Sequence, residues 1–90
     1  MGNQFTTEDI HKIVDEDQER AILFLQKILQ IPSVTGNETE IGIYMKKWLE
    51  DNLDLPVKVY EKQKGRPNLV ADWIGNKEGK RFVFNGHMDV

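Results

Sequence analysis

Apolar positions along this chain follow two regimes. Up to about residue 53 they recur at helical spacing, and beyond Pro56 they alternate or run together. Ala21, Ile22, Leu25, Ile28 and Leu29 form one helical stripe, which Phe24 and Ile31 widen. The pattern predicts helix over residues 7–30, as one helix or two, and the denser segment from Ala21 is expected to be covered on much of its circumference. Thr6 or Thr7 is placed to cap its start, with Glu8 and Asp9 in the favourable first turn. The acidic run Asp15-Glu16-Asp17 reads as a solvated face rather than as a joint. Pro32 ends the segment, because the residue before a proline is pushed out of the helical region.

A second helix starts near Asn37. Asn37 with Glu40, or Thr35 with Glu38, has the spacing of a capping box. Ile41, Tyr44, Met45, Trp48, Leu49 and Leu53 then mark a clean amphipathic stripe, with Lys46, Lys47, Glu50 and Asp51 opposite. Core packing accounts for this stripe without a cofactor or partner.

After Pro56 the period shortens. The segment "VKVYEK" reads as a half-exposed strand with Val57 and Val59 on one face, and "KGRP" as a turn. "NLVADWI" reads as a second strand and "RFVF" as a third, joined by "GNKEGK" in a hairpin. The unbroken run Phe82-Val83-Phe84 is expected to be a central strand buried on both faces. Two helices followed by three strands give an α/β class, with helices covering a sheet. Such a strand needs more cover than these elements supply, so the chain is expected to be the opening part of a larger domain, a shortened or fragmentary gene product.

Composition narrows the function classes. The chain has 90 residues, a net charge of -3 and no cysteine. It lacks a basic stripe for phosphates, which argues against nucleic acid. Cysteine-based zinc sites and disulfides are ruled out. No apolar run has the length of a membrane span, and the N-terminus lacks the basic start and apolar core of a signal peptide. "MGNQFT" matches the short glycine-initiated myristoylation pattern, but the rest reads as a cytoplasmic protein without a membrane partner.

The chemistry gathers at "NGHMDV". In extended chain, residues i and i+2 project to one side, so His87 and Asp89 share a local site. Imidazole is a common zinc ligand, and it binds best when its other ring nitrogen donates to a carboxylate. Asp89 is in reach of that role or of the metal itself, and Gly86 permits a tight backbone path. Taken alone, the triplet reads rather as a surface turn after a buried strand, with His87 solvated. His11 reads as an exposed helical residue.

The stretches "FLQKILQIPSVTGNETEIGIYMKKWLEDN", "GRPNLVA" and "FVFNGHMDV" together resemble the start of a zinc-dependent metallopeptidase family. This is the family of acetylornithine deacetylase, succinyl-diaminopimelate desuccinylase, aminoacylase and glutamate carboxypeptidase. The resemblance spans roughly residues 20–90, and "GHMDV" is its most specific part. It implies the N-terminal part of a layered α/β/α catalytic domain, with the lid or dimerisation domain absent. It implies His87 as a metal ligand, and Asp89 in the catalytic machinery as the carboxylate that orients that ring. Two zinc ions, with cobalt as a substitute, would serve hydrolysis of N-acyl amino acids or small peptides by metal-activated water.

The bridging aspartate, the general-base glutamate and the later ligands of that family match no position in this sequence. The chain alone is therefore expected to hold zinc weakly and not to catalyse. Its cut sheet edge is expected to favour self-association. The competing expectation is a small autonomous α/β binding or regulatory module. The related glutamyl aminopeptidase group shares the His-Met-Asp triplet, but an acidic residue usually follows there, where this chain has Val90.

Overall fold

The computed structural model describes residues 5–90. Residues 1–4, which carry most of the myristoylation pattern, lie outside them. The chain divides into two compact units, residues 1–30 and residues 31–90.

The first unit holds α1 (Thr7–Glu16) and α2 (Gln18–Leu29). Thr6 caps α1 through a reciprocal pair. Its hydroxyl accepts from the Asp9 amide at 3.1 Å, while its own amide donates to the Asp9 carboxylate at 3.0 Å. These bonds hold the Asp9 carboxyl below the usual aspartate range. The acidic run is solvated as expected, but it is also a joint, which corrects the sequence reading. Asp17 sits at φ -94° and ψ 0°, closing α1 and opening α2. The physical reason lies in the helix dipole: carboxylates disfavour a helix C-terminus and favour an N-terminus. A second correction concerns cover. No residue of α1 or α2 is buried, and Leu23 and Leu29 are 65% and 69% exposed. Two short helices bury only the narrow seam between them, which cannot cover a stripe as wide as the one α2 carries.

The second unit contains α3 (Thr39–Leu53), β1 (Val57–Tyr60) and β2 (Asn68–Ala71). It is a small α/β arrangement, with α3 packed on a two-stranded antiparallel sheet. The register pairs Val57 with Ala71 and Tyr60 with Asn68. Ile41 on α3, Val57 on β1 and Pro67 in the connection between the strands are its buried apolar side chains. The rest of the predicted stripe, Tyr44, Met45, Trp48 and Leu49, is half-buried, and Leu53 lies at the exposed end. Lys46–Glu50 and Lys47–Asp51 pair one helical turn apart. Glu50 also accepts from the Val57 amide at 3.4 Å, tying α3 to β1. The Lys46 ammonium is the main cause that lowers the Glu50 carboxyl from its usual range.

The third strand does not form. Among the described residues, regular structure ends at Ala71, and "GNKEGK" joins no strands. Phe82, Val83 and Phe84 are 80%, 80% and 91% exposed. The apolar run has no neighbouring strand within its unit and no second helical layer. The rings of Phe82 and Phe84 pair with each other instead, centroids 4.8 Å apart. The observed hairpin is β1–β2, and its connection turns at Gly65.

Two glycines set how closely the parts of this unit approach. A Cβ on Gly42 would stand 2.9 Å from Pro67 Cγ, so a bare backbone lets α3 meet the hairpin. Gly65 has φ +86°, and a Cβ there would come within 2.5 Å of the Gly36 carbonyl oxygen. Gly36 has φ +92° but open space around it. Gly65→Ala is therefore expected to destabilise the second unit by more than about 2 kcal/mol, because left-handed strain and a backbone clash add. Gly36→Ala should cost only the left-handed strain, about 1–2 kcal/mol. Urea unfolding of the two variants checks the order; equal losses would contradict it.

Candidate functional site

The site is built on a contact between two turns. Residues 33–38 lead into α3, and residues 61–67 join β1 to β2. Glu38 lies between them, 4% exposed. Its amide donates to the Gly65 carbonyl at 2.8 Å. Its carboxylate accepts from the Gly36 amide at 2.9 Å and from Arg66 Nε at 3.2 Å. A buried carboxylate is costly unless bonded in this way. Glu38 is also the residue that starts α3, yet its side chain makes no capping bond. Neither of the two alternative capping boxes read from the sequence forms; the Glu38 amide bonds the hairpin instead. Helix propensity at one end is outweighed by the need to pair a buried charge.

Residues 87–90 lie against the first of these turns. The Val90 amide donates to the Ser33 carbonyl at 3.0 Å, and Ser33 is 4% exposed. The Thr35 hydroxyl donates to Asp89 Oδ2 at 2.7 Å. Arg66 Nη2 stands 3.7 Å from the same oxygen. The other carboxylate oxygen, Oδ1, is 2.8 Å from His87 Nδ1. The backbone carbonyl of Asp89 lies 3.1 Å from that nitrogen as well. The structure thus brings together the two residues singled out in the sequence. It adds Thr35, Arg66 and Glu38, which local reading did not assign to a site. Glu38 and Thr35 were visible only as capping candidates; the link from Thr35 to Asp89 spans 54 positions and leaves no periodic trace.

The contacts define the state of the ring. The Asp89 carboxyl is held below the usual aspartate range, first by the Thr35 hydroxyl and then by His87. It is an anion at neutral pH and can only accept. Both atoms near Nδ1 are acceptors, so Nδ1 carries the proton. In the neutral ring the lone pair then belongs to Nε2. The His87 side chain is 85% exposed, whereas that of Asp89 is 21% exposed. A neutral imidazole with carboxylate-bonded Nδ1 and a free Nε2 is the form that ligates a divalent transition metal.

This fits one corner of a zinc site. Zinc takes three or four protein ligands. Among the described residues, no group of three His, Cys, Asp or Glu side chains converges as a metal site would require. His11 lies on α1, in the other unit. No described helix is long and apolar enough to cross a membrane.

No family model matches the chain, and comparison with curated proteins and with solved structures returns no match.

The lowered Asp89 carboxyl sets a pH window for this docking. Its contribution is fully present above the ordinary aspartate range and is lost as pH falls through the depressed folded value. Residues 87–90 should therefore release from Ser33 and Thr35 in acid. The protection of the Val90 amide, its NMR exchange rate taken relative to the intrinsic rate at each pH, should begin to fall below about pH 4, where the ordinary aspartate titrates, and be lost through the depressed value. Unchanged protection of that amide down to full protonation of Asp89 would contradict it.

Proposed function

We propose that this chain forms the N-terminal portion of the catalytic domain of a dizinc hydrolase that cleaves amide bonds of N-acyl amino acids or small peptides. The family is that of acetylornithine deacetylase, succinyl-diaminopimelate desuccinylase, aminoacylase and glutamate carboxypeptidase. The observation that carries the reading is the His87–Asp89 pair, with Nδ1 on a carboxylate oxygen at 2.8 Å and an exposed ring. That pairing is what distinguishes a ligand-ready histidine from one in a solvated turn.

Within the chain the roles divide simply. His87 offers Nε2, while Asp89 keeps the proton on Nδ1 and fixes the ring plane. Zinc, or cobalt in its place, would supply a water activated for attack on the amide carbonyl. One histidine holds such an ion weakly, so the remaining ligands and the general base belong outside these 90 residues. The reading includes the layered α/β/α architecture, with Phe82-Val83-Phe84 as a strand once neighbours are present. It implies a cytoplasmic enzyme acting on small molecules, with neither nucleic acid nor membrane as partner.

His11 provides an internal control for the metal assignment, being exposed on α1 without a carboxylate on its ring among the described contacts. Zinc added to the chain should perturb the imidazole nitrogens of His87 at lower concentration than those of His11, followed by 15N NMR. Equal responses, or none at His87, would remove the metal-ligand assignment. The hydrolase reading further requires a coding frame beyond Val90 with additional His, Asp and Glu ligands; a frame without them would overturn it.

The same reading gives a self-association surface. Arg81 to Asn85 make no backbone hydrogen bonds among the described residues, and the triplet between them is apolar and exposed. Unpaired backbone beside β-forming side chains templates strand pairing with a second copy. The chain is expected to associate as its concentration rises, and Phe84→Lys should suppress this. A monomer at every concentration, by sedimentation, would reject the surface.

A further inference from the structure

The carboxylate of Asp89 is divided between two tasks. Oδ1 meets the imidazole, and Oδ2 meets a pair of donors on two separate turns. An aspartate bonded only to the ring would be free to rotate about its side-chain torsions and carry the imidazole with it. Engaging the second oxygen removes that freedom. The structure supplies this engagement from 54 positions away through Thr35. Threonine is branched at Cβ and stiff about its first torsion, and the neighbouring Gly36 amide is tied to Glu38. Arg66 is held through Nε by the same Glu38 carboxylate, leaving Nη2 to face Asp89. The buried Glu38 therefore steadies both donors, and the Val90–Ser33 bond fixes the backbone on the far side of Asp89.

We propose that Thr35 and Arg66 are positioning residues for the metal-ligand histidine: they clamp the second oxygen of Asp89, and so hold His87 with its proton on Nδ1 and Nε2 available. The inference deepens the function proposed above and rests on it for its purpose, although the clamp itself rests on the contacts of Asp89. Thr35 is the better probe of the two. It is exposed, whereas Arg66 also neutralises the buried Glu38. Loss of Arg66 would disturb the turn as well as the clamp.

The test uses the whole chain without metal, and reads the His87 tautomer from its imidazole 15N shifts. The wild-type ring should be locked with the proton on Nδ1. Thr35→Val should release it toward a mixture of tautomers, while Thr35→Ser, which keeps the hydroxyl, should restore the lock. The amide spectrum of α3 and the hairpin identifies any variant that has lost its fold. If Thr35→Val unfolds, Thr35→Ser against Thr35→Ala gives the same comparison with a smaller change of shape. In a zinc titration, Asp89→Ala should weaken binding at His87 roughly 10–100-fold, the range for loss of a partner to a metal-bound histidine. Thr35→Val should produce part of that loss.

A His87 ring that stays locked in both Thr35→Val and Thr35→Ala, but not in Asp89→Ala, overturns the clamp. A tautomer that follows Thr35 as expected, in a chain whose His87 ignores zinc, supports the clamp and rejects the metal-ligand reading instead. The two failures are thus separable.

Discussion

The second unit depends on one buried charge. Glu38 is 4% exposed and must find partners for its carboxylate within the protein. It takes the Gly36 amide from its own turn and the Arg66 guanidinium from the hairpin. These bonds require the two turns to approach closely, and the approach requires a residue without Cβ at Gly65. The glycine and the glutamate form one constraint: the first permits the contact and the second gives it direction. With Ile41, Val57 and Pro67 as the buried apolar side chains, hydrophobic burial alone would specify this geometry poorly. A buried ion pair is weak evidence of net stability. Here its clearer consequence is register, since it fixes which part of the hairpin faces which residue of the loop.

Much of the helical architecture was legible from periodicity. The α3 stripe and its opposite face of lysines and acids read correctly because a 3.6-residue period is a local property. The Thr6–Asp9 cap was also local, three positions across. The joint at Asp17 was legible in principle: three consecutive carboxylates at a helix C-terminus oppose the dipole, and the same residues suit the start of the next helix. The failure at Phe82-Val83-Phe84 has a different origin. An apolar run reports what a segment can bury, not whether cover exists for it. The β1–β2 hairpin has room at its edges, but no element of its own unit lies over the triplet.

The candidate site was half legible. His87 and Asp89 are two positions apart, and their pairing follows from chemistry that any short segment can display. Thr35, Arg66 and Glu38 could not be read in this way. The sequence showed Thr35 and Glu38 as the two partners of one candidate capping box, because that is what their spacing allows. Tertiary demand reassigned both. The Thr35 hydroxyl serves Asp89, and the Glu38 carboxylate serves Arg66 and the Gly36 amide. Residues that favour a helix start are short and polar, so they are equally apt to bind a neighbouring segment.

The manner in which residues 87–90 are held bears on what the site can do. They form no strand and have no backbone ladder. Their polar attachment consists of the Val90–Ser33 amide bond and the contacts of a single carboxylate. Order at His87 is therefore inherited from Asp89, and order at Asp89 is inherited from Thr35, Arg66 and finally Glu38. Each link is a polar contact, and most lie near solvent, where one such bond contributes modestly. A histidine held this way has a defined tautomer without having a rigid platform. Strand pairing at Phe82-Val83-Phe84 would add that platform immediately upstream of His87. Pairing of the triplet and precision at the histidine are then coupled: whatever covers the exposed run also stiffens the segment that presents His87.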